Sequence, residues 1–215
     1  VTRGDLTESI HVVFAVAVDE TGTVFYSTGD PYYLTCIRSS LKPFQAAAAV
    51  KAGAVDAAGF SDDELAMMCA SHSGEDIHVK TVQSMLNKLG LSTADLECGS
   101  HFPSDKITRH KMIKEGKLPE LIHNNCSGKH AGMLALAKHL DQGIKGYIQK
   151  AHPVQKEIFN LVQELTGLKN IPTETDGCSA PTPFMTLETI ARLFQKLAAS
   201  NDQELSRVFD AMCAN

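Results

Sequence analysis

With 215 residues, 43% of them hydrophobic and 21% charged, the chain has the composition of a soluble globular protein able to bury a sizeable core. Its net charge of −5 and pI near 6.0 leave no basic footprint for nucleic acid. No apolar run approaches the roughly 18 residues of a membrane span, and no basic segment followed by an apolar one marks a secretory leader.

Residues 1–8 are polar and read as a lead-in; a start at Val1 in place of Met leads us to expect a trimmed N-terminus. Residues 11–18 are rich in Val, Phe and Ala and predict a buried strand. Asp19-Glu20-Thr21-Gly22 is a turn and residues 23–27 a second strand, so a hairpin is expected. Gly29-Asp30-Pro31 breaks it, and residues 32–37 form a third strand or an extended lead-in. Pro43 suits the first turn of a helix, and the Ala-rich run 46–52 continues it. Ser61-Asp62-Asp63-Glu64 is a capping box that opens a helix to about Ala70. A further helix over 77–89 is stopped by Gly90. Residues 96–117 have no clear periodicity, and 101–103 read as a loop. Helices follow over 131–140 and 153–165, the latter amphipathic and ended by Gly167. Residues 171–183 read as a loop, 186–198 as a helix, and another helix begins near Asp202. The strands are thus concentrated at the N-terminus, and two or three of them make a marginal sheet. The remaining strands are expected from elsewhere, and the chain reads as unfinished at Asn215.

The six cysteines, at positions 36, 69, 98, 126, 178 and 213, show no disulfide-scaffold spacing and no C-x-x-C. A reducing, cytoplasmic setting is expected, with thiols that are buried, catalytic or metal-binding. Cys36, Cys69 and Cys98 lie in apolar surroundings and read as core. For His78, His110, His139 and His152, surface positions are expected.

Four small, polar stretches interrupt the regular elements: 38–42, 71–75, 123–130 and 176–181. In the first, Ser39 stands three residues before Lys42, at the start of the Pro43 helix. Such positions share a helix face. A lysine made neutral by burial or a neighbouring cation can take the serine proton and create a nucleophile without histidine. The helix dipole there would favour negative charge on an attacked carbonyl. The same pattern also describes a plain helix start, with Ser as cap and Lys in solvent. Ser71, His72 and Ser73 offer hydroxyls and an imidazole, or a helix exit with His72 on the dipole. Ser127-Gly128-Lys129 invites a phosphate-loop reading but fails it: His123 stands where a Gly is needed, and His130 where Ser or Thr is needed. Cys126 and Lys129 repeat the spacing of Ser39 and Lys42. A cysteine so placed is a nucleophile or metal ligand, or a half-buried thiol at a helix cap. Asp176 and Cys178 offer a carboxylate and a thiol, or an Asp-Gly turn.

In chain order, 2–11 (TRGDLTESIH), 38–45 (RSSLKPFQ), 69–75 (CASHSGE), 123–133 (HNNCSGKHAGM), 152–155 (HPVQ) and 176–182 (DGCSAPT) together resemble the Rhizobium-type L-asparaginases, the asparaginase II family. The resemblance covers nearly the whole chain. It implies hydrolysis of L-asparagine to L-aspartate and ammonia, and asparagine catabolism. It implies an α+β fold similar to serine β-lactamases and glutaminases, an antiparallel sheet flanked by helices, within one domain over 1–215. By resemblance Ser39 is the nucleophile, Lys42 its base and Ser71 the second active-site serine. Cys126, Lys129 and Cys178 match the ligands of a zinc ion (Zn2+), and Asp176 a residue near the substrate. Arg38, His72 and Asn124 are further candidates for substrate contact. The family continues past this point through strands that complete the sheet, a lysine paired with the second serine and another active-site cysteine. A C-terminally truncated chain is therefore expected, with its activity and independent folding in question. The partner implied is the small molecule L-asparagine, with neither nucleic acid nor membrane, and a homodimer is compatible. A zinc-centred amidohydrolase or glutaminase, and an inactive fragment with a binding role, are the alternatives.

Overall fold

The computed structural model describes residues 1–199 and 201–215. Two short strands, β1 (Thr2–Arg3) and β2 (Leu6–Thr7), open the chain as an antiparallel pair. The expected hairpin follows as β3 (Ala15–Val18) and β4 (Val24–Thr28), antiparallel, with an irregularity between Ala17 and Val18. Only the second half of 11–18 pairs. Val12 and Val13 are exposed, not buried as expected, and Phe25 and Tyr26 on β4 are exposed too. The third strand, β5 (Leu34–Cys36), belongs to a different sheet.

Helices make up most of the rest. They are α1 (Lys42–Lys51), α2 (Ala54–Ala57), α3 (Asp62–Cys69), α4 (Asp76–Leu89), α5 (Lys106–Lys114), α6 (Ser127–His139) and α7 (Pro153–Thr166). After the strands β6 (Thr173–Thr175) and β7 (Pro181–Thr186) come α8 (Leu187–Ala199) and α9 (Gln203–Ala214). The Ser61 capping box forms in full, with Ser61 Oγ accepting from the Glu64 N–H and the Glu64 carboxylate accepting from the Ser61 N–H.

The chain is α+β, with its strands in three small antiparallel sheets. The sheet that matters for the site is ordered β5-β7-β6. The loop expected over 171–183 instead supplies two of its strands. Three prolines and an Asp-Gly pair hide that pattern, because proline in a central strand removes a ladder donor. Here the cost is avoided by splitting the pairing. The proline half of β7 pairs with β6, and its second half, Phe184 to Thr186, pairs with β5.

The core centres on α6, in which every residue from 127 to 137 is buried. A helix buried all round has to be enclosed on all sides, and α1, α2, α3, α4 and α7 pack around it. Two glycines set how closely α3 approaches. A Cβ on Gly128 would collide with the Met67 carbonyl, and one on Gly132 would come within 2.5 Å of Met68 Cε. The Gly of the Ser-Gly-Lys stretch is thus a packing requirement of the α3–α6 contact. Against the expectation of a helix from 131, α6 begins four residues earlier, so Lys129 lies in its first turn.

Candidate active site

Ser39 sits in a single 3-10 turn, Arg38–Leu41, between β5 and α1. The turn exists because the ladder stops there. Pro183, opposite Ile37, accepts from the Ile37 N–H at 3.2 Å but has no N–H to return. The Ile37 carbonyl accepts from the Ser40 N–H instead, at 3.2 Å, which closes the turn. Arg38 adopts a left-handed backbone, φ +50°, a conformation costing about 1–3 kcal/mol for a non-glycine residue. It is held by the Thr182 hydroxyl, which accepts from the Arg38 N–H at 3.1 Å, and by an ion pair between Arg38 Nε and Asp176 at 3.0 Å. Thr182 is buried and carries no signal in the sequence beyond its place in a polar stretch.

The plain helix-start reading of this stretch does not survive. No side chain caps the 3-10 turn or α1, and Lys42 is only 1% exposed. Its amine does not bond Ser39. It reaches the Ala70 carbonyl at 2.6 Å, the Ser71 hydroxyl at 2.8 Å and the Asn125 carbonyl at 3.3 Å. Burial lowers the Lys42 pKa below its ordinary 10.5; the charge of Lys129 adds to this, while Cys126 and Cys178 oppose it. Ser39 is half-buried and Ser71 exposed.

Ser71 lies on the strand-like exit from α3, and its loop is tied to the loop before α6 by the His72 N–H, which donates to the Asn125 carbonyl at 3.2 Å. His72 itself is buried and fully engaged. Its Nδ1 accepts from the Gly74 N–H at 3.2 Å and its Nε2 meets the Ser127 hydroxyl at 2.8 Å. Burial first, then the neighbouring histidines 78, 101 and 123 and Lys42, pull its pKa down to about 4. Asn124 is likewise buried: its amide donates to the Cys98 and Gly99 carbonyls and its oxygen accepts from the Cys126 N–H at 2.8 Å. The polar atoms of both side chains are spent on holding the loops; at the rim Arg38 is open to solvent, while Asp176 is mostly covered and accepts from Arg38 and the Gly177 N–H.

Behind Lys42 lies the second cluster. Cys126, Lys129 and Cys178 are buried, and the Lys129 amine donates to Cys178 Sγ at 2.9 Å. Bonding to Cys126, with His130 and Lys129 nearby, lowers the Cys178 pKa against its burial; the Cys126 thiol, the donor of that bond, is correspondingly raised. Among the described residues no three His, Cys, Asp or Glu side chains form a metal-binding group. A metal here would need Lys129 as its third ligand, giving two soft thiolates and an amine, a donor set suited to zinc. A cysteine ligates as the thiolate and a lysine only as the neutral amine, so binding a metal here would release protons. The other thiols differ: burial pushes Cys69 and Cys98 up to about 12, Cys36 bonds Thr182, and Cys213 is exposed. Of the histidines expected at the surface, 110 and 139 are exposed, while 78 and 152 are half-buried.

Four sequence-distant segments thus converge: the 3-10 turn with the start of α1, the loop after α3, the start of α6, and the β6–β7 turn, in which Ser179 takes φ +68°. Among the described residues, a cavity of about 610 Å³ lies away from this site, between α7 and β6. Comparison with curated proteins finds no match. The family comparison does: the chain matches L-asparaginase II over residues 1–215, its whole length, and belongs to that family.

Proposed function

We propose that the protein hydrolyses the side-chain amide of L-asparagine to L-aspartate and ammonia, with Ser39 as nucleophile and Lys42 as its base. What supports this reading is the Lys42 amine, buried and lowered in pKa, on the residue three after Ser39 at the start of α1. In its neutral form Lys42 has two N–H groups for the Ala70 and Asn125 carbonyls and one lone pair to receive a proton. Ser39 Oγ attacks the amide carbon as its proton passes to Lys42. The proton is returned to the departing nitrogen, which leaves as ammonia, and an acyl-enzyme remains. Water, deprotonated by the same amine, then releases aspartate. Backbone N–H groups of the turn that carries Ser39 support the oxyanion. Arg38 at the rim takes the substrate carboxylate and Asp176 its ammonium group. Cys126, Lys129 and Cys178 would hold a zinc ion, which when bound supplies a fixed charge that ties the α6 loop to the β6–β7 turn.

A second reading has its own support. Ser71, not Ser39, is the hydroxyl within hydrogen-bonding reach of Lys42, at 2.8 Å, so Ser71 can be the nucleophile and Ser39 an orienting group. Ammonia release from asparagine and from glutamine by purified Ser39→Ala and Ser71→Ala, with and without a chelator, separates these readings. Loss in Ser39→Ala with trapping of an acyl-enzyme in the wild type supports the first. Substantial turnover in Ser39→Ala sinks it. Unchanged turnover after complete metal removal sinks a zinc-centred mechanism.

A further inference from the structure

The groups that the Lys42 amine reaches come from two loops. The Ala70 carbonyl and Ser71 hydroxyl belong to the loop after α3, and the Asn125 carbonyl to the loop before α6. A further segment, residues 98–105, touches both loops and has no part in the mechanism above. On one side the Asp105 N–H donates to the Ser73 carbonyl at 3.1 Å. Pro103 lies so close to Gly74 that a Cβ there would come within 2.9 Å of Pro103 Cβ. On the other side the Cys98 and Gly99 carbonyls accept from the Asn124 amide at 2.8 and 3.2 Å. His101 stands between these ties and is exposed. Its Nε2 accepts from the Asn125 N–H at 3.2 Å, and its Nδ1 lies 2.8 Å from the Phe102 carbonyl oxygen.

These two contacts assign the tautomer. A carbonyl oxygen only accepts, so the ring proton is on Nδ1. A backbone N–H only donates, so Nε2 presents its lone pair. The other tautomer sets lone pair against lone pair at Phe102 and N–H against N–H at Asn125. A ring protonated on both nitrogens keeps the second of these clashes. The Asn125 side-chain oxygen, 3.2 Å from Nε2, does not suit the Nδ1–H ring. A half-turn of that amide presents its NH2 instead, whereas the backbone N–H cannot turn away.

Residue 125 is thus held from both sides. Its N–H is taken by His101, and its carbonyl accepts from the Lys42 amine at 3.3 Å and from the His72 N–H at 3.2 Å. The bond to Asn125 is longer than those from Lys42 to Ala70 and Ser71, so it depends most on where its loop sits. We propose that His101 is a positioning residue: by accepting the Asn125 N–H in its Nδ1–H tautomer, it holds the Asn125 carbonyl against the Lys42 amine. With that carbonyl and the Ala70 carbonyl each taking an N–H, the lone pair of the neutral amine has a fixed direction. The catalytic consequence rests on the reading of Lys42 as the base, whichever serine it serves; the hold itself does not.

The test uses the full chain with His101 replaced by Ala, Asn or Gln. His101→Gln keeps an acceptor at the distance of Nε2; His101→Asn keeps at most the donor at Nδ1. Long-range 1H–15N correlation should show the His101 proton on Nδ1 and none on Nε2. A proton on Nε2, alone or together with Nδ1, overturns the proposal. The 13C signal of Lys42 Cε, assigned by its loss in Lys42→Ala, should move in His101→Ala and His101→Asn and return towards its wild-type position in His101→Gln. A signal indifferent to His101→Ala overturns the proposal. In ammonia release from asparagine, kcat should fall by about 10–100-fold in His101→Ala and His101→Asn, the scale of a displaced catalytic group. KM should stay near the wild-type value, and His101→Gln should recover part of the loss. Unchanged kcat, a loss carried by KM, or recovery in His101→Asn but not in His101→Gln would leave His101 a loop anchor and overturn the proposal. A wild type without turnover sinks the reading of Lys42 as the base alone, since the tautomer and the Lys42 signal are read without substrate.

Discussion

Lys42 and Lys129 stand in the same sequence relation to a nucleophilic side chain, three residues after Ser39 and Cys126 respectively, and both are buried at the start of a helix. Their surroundings differ. Lys42 is ringed by oxygen, two carbonyls and the Ser71 hydroxyl. Lys129 meets sulfur, the Cys178 thiol at 2.9 Å. An amine among carbonyls and a hydroxyl is equipped to move a proton. An amine among thiols is equipped to share in binding a soft cation. The spacing is common to both; the role comes from what other segments bring to each amine.

The largest effects should separate the two clusters outright. Ser39→Ala is expected to reduce ammonia release by about 10⁴-fold, the size of effect seen when a hydrolase nucleophile is removed. If Ser71→Ala matches this while Ser39→Ala retains turnover, the oxygen cluster works through Ser71. Cys178→Ser should lower bound zinc and reduce turnover less, by about 100-fold, in line with an ordering role. Equal losses in Ser39→Ala and Cys178→Ser would merge the two clusters into one catalytic unit.

The next effect lies in the loops that brace the oxygen cluster. The folded-state pKa of His72, about 4, lies below its ordinary 6.5. The unfolded chain therefore takes up a proton first as pH falls. Stability is fully present above 6.5 and is lost progressively between 6.5 and about 4, by roughly 3 kcal/mol at most. Chemical denaturation across this window should show that slope in the wild type and a shallower one in His72→Gln. An identical slope would remove His72 as its source. Lys42 acts in the opposite range. Because its pKa is lowered, turnover should climb about tenfold per pH unit up to that value and level off before 10.5. A pH–rate profile that is flat from neutral upward would place the proton transfer elsewhere.

The smallest of these effects concerns the sulfur cluster. Gly128→Ala forces α3 and α6 apart, because the Met67 carbonyl is backbone and cannot turn aside. A loss of about 1–3 kcal/mol is expected, the ordinary cost of overpacking. Differential scanning calorimetry checks it, and zinc affinity should fall with it because Lys129 is the next residue.

Much of the helical framework can be read from local signals: the Ser61 capping box, the Gly90 and Gly167 stops, the amphipathic spacing of α7 and the Pro43 start of α1. The sheet is harder. β7 looks like a loop because Pro181 and Pro183 remove donors. Only the end of β5 opposite Pro183 makes their missing N–H groups harmless. The hydrophobic run at 11–18 predicts burial, yet half of it stays exposed, because period and composition do not say what element, if any, covers a face. In the site, Ser39, Lys42, Cys126 and Lys129 stand out by spacing, and Ser71, Asp176 and Cys178 by the polar stretches around them. Thr182 and His101 give no such signal, since a threonine or an imidazole in a loop acquires its role from a partner far away in sequence.

The sequence by itself determined which side chains with acid, base or soft-ligand chemistry are present, that two lysines follow a serine and a cysteine at helix starts, and, through its ordered motifs, the family. Those are properties of composition, spacing and local propensity. Only the tertiary structure decided that Lys42 meets Ser71 and not Ser39, that His72 and Asn124 are spent on bracing loops, and that Lys129 faces Cys178. Each of these depends on bringing together residues tens of positions apart, where burial and hydrogen-bond partners, not spacing, set what an amine, thiol or imidazole can do.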